Sequence, residues 1–273
     1  MKVAVCCIGR QENRYINEYI NHYLSIGVDK IYIYDNNYNG EEYFEDVIPS
    51  DFINDKVEII DYRNKSNCQV IAYQDCYDNY SNYYDWMLFI DIDEYLYMNN
   101  FNNIKDFLKQ DKFNDFNMIH INWLCHGDNN LVRYENKPLK ERFINPILPI
   151  DFKKKNIMFS QNMHIKSIIR CNYDKILWNA TPHTPSNDIR CCDANGKQCF
   201  SQSPFNHMDF SSAYFKHYST KTIEEWLTIK SKRGYPDGNK DFFKKNNPID
   251  AFFEENEVTQ EKIDFLRENG YIS

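Results

Sequence analysis

The chain has 273 residues, 42% of them hydrophobic and 16% aromatic, which supplies a sizeable core and excludes an intrinsically disordered chain. Its 32 basic and 40 acidic residues give a formal net charge of −8. That balance lacks the footprint of a nucleic-acid binder, so an anionic ligand needs a local basic site or a metal.

Val3–Ile8 is a continuous apolar run, too short for a secretory leader and followed at once by Arg10, Glu12 and Arg14. It reads as a strand covered on both faces. Tyr15, Ile16, Tyr19, Ile20, Tyr23 and Leu24 then recur at helical spacing, with Gly27 as the stop. Lys30–Tyr34 is a second strand ending in Asp35-Asn36-Asn37, followed by a short helix over Glu42–Val47. Val57–Ile60 is a third strand, leading to Arg63 and a helix near Cys68–Tyr80, and Trp86–Ile92 is a fourth. This alternation predicts an α/β protein with a Rossmann-like, mostly parallel sheet flanked by helices. Ligands of such sheets gather at the carboxyl ends of the strands, which selects the loops at Gly9–Glu12, Asp35–Asn37, Arg63–Lys65 and Asp91–Glu94.

Beyond residue 100 the pattern loosens. Ile104–Leu108 predicts a helix, Met118–Leu124 and Ser167–Arg170 predict strands, and Asn195-Gly196 predicts a type I′ turn in a hairpin over Cys191–Phe200. Thr222–Lys230 and Thr259–Leu266 read as helices. With no repeat and no linker, residues 1–273 form one expected domain, divided into 1–100, 101–220 and a helical 221–273.

Phe89–Leu96 places Asp91, Asp93 and Glu94 at the end of an apolar strand, where three acids are costly unless a cation meets them. Strand alternation puts Asp91 and Asp93 on one face. Two such carboxylates favour a hard divalent ion, Mn²⁺ or Mg²⁺.

Several segments together resemble glycosyltransferases of the family 2 and family 92 type. They are the first strand with Gln11-Glu12, the helix carrying Glu18 and His22 before Gly27, Tyr34-Asp35-Asn36, the D-x-D segment Trp86–Leu96, and His217-Tyr218-Ser219-Thr220-Lys221 followed by Arg233-Gly234. The resemblance implies a GT-A fold, with the nucleotide-sugar half, 1–100, and the acceptor half, 101–220, in one continuous sheet. It implies transfer from a nucleotide donor, UDP-linked as a rule, to a glycan or lipid-linked glycan, in cell-surface polysaccharide synthesis. Asp35 then faces the uracil or ribose, and Asp91 the ribose and metal. Asp93 ligates the metal directly, and His217 completes its shell. Lys221, Lys230 and Arg233 are candidates to close over the diphosphate, and Arg10, Glu12 and Lys65 stand at strand ends near the nucleotide. Inverting transfer also needs a general base, for which Asp128 and then Glu141 are the candidates.

Other readings are a sugar nucleotidyltransferase, which lacks its Gly-rich loop here, and a non-catalytic glycan- or nucleotide-binding protein of the same fold. The nine irregularly spaced cysteines read as reduced thiols in a cytoplasm, where a lipid-linked acceptor implies peripheral contact with the inner face of a membrane. Lys153-Lys154-Lys155 is too short a basic run to establish that contact. Cys171, Cys191, Cys192 and Cys199 contain no C-x-x-C, so no structural zinc is expected.

Overall fold

The structure, a computed structural model, describes residues 1–53, 55–147, 161–171, 176–233 and 247–273. Gly234 and Lys153-Lys154-Lys155 lie outside the described residues.

Strands β1 (Val3–Gly9), β2 (Lys30–Asp35), β3 (Val57–Asp61) and β4 (Trp86–Phe89) are parallel and stand in the order β3-β2-β1-β4. Alternation along β1 builds both faces: Val3, Val5 and Cys7 join one apolar cluster, Ala4 and Cys6 with Ile8 the other. Helix α1 (Asn13–Ser25) covers the first with Tyr15, Ile16, Tyr19, Ile20 and Tyr23. A four-residue helix α2 (Phe44–Val47) adds Phe44 to the same cluster. Helix α3 (Gln69–Tyr80) covers the other with Ala72, Tyr73, Cys76 and Tyr77. Gly27, at φ +94°, ends α1 in the left-handed conformation that glycine adopts without steric cost.

The second half is mixed. Strand β7 (Ile165–Arg170) runs antiparallel to β4, and β6 (Met118–Cys125) antiparallel to β7. Strand β10 (Ala213–His217) is parallel to β6, and β5 (Glu94–Met98) is antiparallel to β10, so the sheet continues β4-β7-β6-β10-β5. The hairpin β8 (Cys191–Asp193) and β9 (Gln198–Cys199) hangs from the first residues of β6. One cluster runs from Val3 to Phe215, so both halves share a core.

Three readings change. The fourth strand ends at Phe89, and Ile90–Asp93 cross the end of the sheet from β4 to β5, so Asp91 and Asp93 sit on a turn and not on one strand face. The hairpin forms, but its turn is not type I′: only Gly196, at φ +81°, is left-handed. The Gly196 N–H donates to the Asp193 carbonyl, as in a three-residue loop with a bulge at glycine. The helix begun by the Thr222–Glu225 capping box runs through Ile223–Glu225, then widens into a π turn over Trp226–Lys230 before Ser231–Arg233.

Candidate functional site

A cavity of about 460 Å³ opens at the carboxyl ends of β1 and β4, roofed by the helix that carries Lys230 and Arg233. Its wall includes Arg10, Glu12, Asp91, Asp93, His217, Lys230 and Arg233, seven of the residues singled out in the sequence. Gly9 lets the acidic turn reach this place: a Cβ there would stand 2.2 Å from Ile92 Cδ1 and 2.9 Å from the Phe44 ring.

The two aspartates differ in their partners. Asp91 accepts from Gln69 Nε2 at 2.5 Å and Tyr73 Oη at 3.2 Å on one oxygen, and pairs with Lys166 Nζ at 3.0 Å on the other. Lys166 is fully buried on β7 and lies 3.8 Å from Glu94, itself fully buried. Burial works to lower the Lys166 ammonium, but Asp91 and Glu94 hold it above its ordinary value. Burial pushes the Glu94 carboxyl well up. The cation that the acids require is therefore supplied, for Asp91, by the chain itself.

Asp93 faces the other way. Its Oδ1 lies 3.6 Å from His217 Nε2 and its Oδ2 3.9 Å from Lys230 Nζ. Burial opposes its charge, yet His217, Lys221 and Lys230 hold the carboxyl well below the usual carboxylate range. Burial lowers the His217 imidazole against the pull of Asp93, which favours the neutral ring a metal needs. The two meet because β10 pairs with β5, His217 opposite Glu94, and the Tyr218 N–H donates to the Asp93 carbonyl at 2.9 Å. The Asp93–His217 gap exceeds a hydrogen bond and suits two ligands sharing one ion. The carboxylate oxygen on this cavity wall suits either Mn²⁺ or Mg²⁺, and the imidazole nitrogen beside it favours Mn²⁺ of the two.

The cations form a strap. Lys221 Nζ pairs with Glu12 at 3.2 Å, and Arg233 donates to the same carboxylate and to the Arg10 carbonyl. Lys221 is held at φ +56°, a left-handed conformation uncommon for a side-chain-bearing residue. Lys230 donates to the Ser219 carbonyl at 2.5 Å, and burial lowers its ammonium. Arg10 donates to the Asn36 carbonyl at 2.9 Å and stacks on Tyr38.

The remaining candidates do not line the cavity. Both carboxylate oxygens of Asp35 accept backbone N–H groups, from Asn37 at 2.9 Å and Phe44 at 3.0 Å, so Asp35 shapes the turn and its neighbour Asn36 reaches the cavity. Lys65 lies exposed against the Tyr62 ring, with its carbonyl accepting from Arg10 and Asn36. Lys221 serves through Glu12 and does not touch the cavity wall. Asp128 pairs with the buried Lys262, and Glu141 is exposed on the short helix Leu139–Arg142. Neither candidate base therefore faces the acidic turn. Glu18 and His22 join α1 to the second half, accepting from the Leu139 N–H at 2.8 Å and meeting the Leu96 carbonyl at 3.0 Å.

Sequence reasoning missed Lys166, a lone lysine within an apolar strand, and Glu255, which lines the cavity and accepts from Gln161. Burial pushes the Glu255 carboxyl up. Lys166 carried a readable signal, since a charge inside a strand needs a partner. Glu255 carried none.

An α/β sheet with a parallel half continuing into a mixed half, and an acidic turn where they join, fits a GT-A-like fold. Residues 1–257 match glycosyltransferase family 92, and the chain belongs to that family. It is 26% identical over 127 residues, 46% of its length, to a glycosyltransferase family 92 protein of Ricinus communis. The matched segment spans 22% of the relative's own length. The S. aureus TarS fragment 1–349 is similar over 81% of this chain and 61% of its own, at 11% identity and a TM-score of 0.38. Among the described residues no helix is long and apolar enough to cross a membrane.

Proposed function

We propose that the chain transfers a sugar, with inversion, from a UDP-linked donor to a hydroxyl of a glycan or lipid-linked glycan. The observation that carries this reading is the cavity in which Asp93 and His217 face Lys230 and Arg233. A diphosphate leaving group gathers negative charge as its bond to the sugar breaks, and fixed cations in a water-poor site stabilise that charge. Lys230 and Arg233 take this part. Asp93 and His217 hold Mn²⁺ or Mg²⁺, which when bound supplies further positive charge to the diphosphate oxygens.

Asp91, neutralised by Lys166 and oriented by Gln69 and Tyr73, keeps one edge toward the cavity and accepts a ribose hydroxyl. Trp123 lies 4.8 Å, centroid to centroid, from His164 in a stacked arrangement and 4.0 Å from His217, an aromatic wall against which a sugar ring packs. Glu255, on that side of the cavity, takes the acceptor hydroxyl proton while the oxygen attacks the anomeric carbon. A carboxyl raised by burial is a stronger base than an exposed one. The acceptor reading places the protein in the cytoplasm at the inner face of a membrane, building a cell-surface polysaccharide.

Calorimetric titration of UDP and of GDP, each with Mn²⁺ and with EDTA, tests the donor site. UDP binding that requires the metal and is lost in an Asp93→Ala, His217→Ala double variant is the expected result. Absence of nucleotide binding under every condition sinks the assignment. Tight binding with no UDP release from any UDP-sugar in the presence of glycan acceptors moves the chain to the non-catalytic binding class.

A further inference from the structure

Away from the cavity, the start of β6 and the hairpin β8–β9 bring three metal-type side chains together. Register explains how. Met118 pairs with Cys191 and His120 with Asp193 across β6 and β8, while Cys191 stands opposite Cys199 across the hairpin. Alternation then puts His120, Cys191 and Cys199 on one face. Their ligand atoms all lie within 4.8 Å of one another, with Cys191 Sγ 3.4 Å from Cys199 Sγ and Cys199 Sγ 3.8 Å from His120 Nδ1. A tetrahedral zinc ion with ordinary bond lengths separates two thiolates by about 3.8 Å, and a thiolate from an imidazole nitrogen by about 3.6 Å.

The histidine is also set in the right tautomer. Thr184 has one hydroxyl proton and donates it to the Ser201 carbonyl at 2.6 Å. At its 3.2 Å contact with His120 Nε2 it therefore accepts, which places the ring proton on Nε2. The Nδ1 lone pair is left pointing at the thiols, held by the kind of outer hydrogen bond that orients metal-bound histidines. Asp193 shares the face, but its Oδ1 already accepts from the Asn195 and Lys197 N–H groups.

We propose that His120, Cys191 and Cys199 bind one zinc ion, with water in the fourth position. Binding displaces the two thiol protons and leaves both sulfurs as thiolates. The ion fastens the hairpin to β6, whose far end carries Trp123 and Cys125 to the cavity wall and to His217. The absence of C-x-x-C concealed the site because the third ligand comes from a strand 71 positions earlier than Cys191 (191 − 120).

Cobalt(II) titration of the whole reduced chain, after zinc is removed, tests this. The expected result is a thiolate-to-cobalt absorption band saturating at one ion per chain and bleached by zinc. The band is lost in Cys199→Ser and weakened in His120→Gln, but it persists in Asp93→Ala, which separates this site from the cavity. A folded, reduced wild type without a thiolate band overturns the proposal. So does purified protein in which Cys191 and Cys199 are joined as a disulfide, or a zinc-induced rise in Tm that survives Cys199→Ser.

Discussion

Asp91 and Asp93 are separated by a single isoleucine, yet they belong to two different regions of buried charge. Around Asp91 the chain closes on itself: Lys166 lies within 3.0 Å, Gln69 and Tyr73 occupy the other oxygen, and Glu94 backs the lysine. Around Asp93 the nearest partners, the His217 ring and the Lys230 ammonium, stand off at 3.6 and 3.9 Å and line a cavity. The first region compensates its own charge and is built for stability. The second keeps unspent attraction for a ligand. A D-x-D motif is symmetric on paper, and the partners supplied by β7 and β10 make it asymmetric.

The largest expected effect tests the closed region. Lys166→Met leaves the buried Glu94 and the partly buried Asp91 without their cation, and the loss, read from urea unfolding, approaches that of a broken buried pair, about 3–5 kcal/mol. Adding Asp91→Asn to that variant restores part of the loss. A loss below about 1 kcal/mol in Lys166→Met, the level of an exposed pair, contradicts the assignment.

Asp93→Ala tests the open region and gives the opposite pattern. Donor turnover falls by about 100-fold or more, as when a group aimed at developing charge is removed, while the unfolding midpoint moves little. An unfolding loss as large as that of Lys166→Met makes Asp93 structural. Arg233→Ala comes next: it removes one cation of the strap and leaves Glu12 to Lys221 alone, so the donor KM rises by about tenfold, the scale of one charge-assisted hydrogen bond. An unchanged KM places Arg233 outside the donor site.

An effect of pH lies outside both regions. Burial lowers the imidazoles of His22 and His126 to about 4, against about 6.5 in an unfolded chain. Between those values the unfolded chain binds more protons than the folded one. Stability is therefore full above about pH 6.5 and declines as pH falls toward 4. His22→Gln makes that acid limb shallower in a series of melting curves, and an unchanged slope argues against a neutral buried His22.

The parallel half was legible because each element there has a local cause. Val3–Gly9 is buried on both faces and apolar throughout, α1 has helical spacing and a glycine stop, and the acids follow an apolar strand. The mixed half is not local. Strands β5 and β10 have five residues each, mix aromatic, apolar and charged side chains, and exist as strands because they pair with each other and β10 with β6. The same limit applied to the site. Asp93, His217, Lys230 and Arg233 could be named from motifs and do share the cavity, whereas Asp128, named as a base from its place after a strand, is held by Lys262, 134 positions later (262 − 128). Long-range partners decide which acids remain available, and spacing does not record them.

A crystal structure with UDP and Mn²⁺, measured with anomalous scattering from manganese, bears most directly on the central claim. The account predicts a manganese peak between the Asp93 and His217 side chains, with the diphosphate against Lys230 and Arg233. A peak elsewhere, or a diphosphate bound away from those cations, contradicts it.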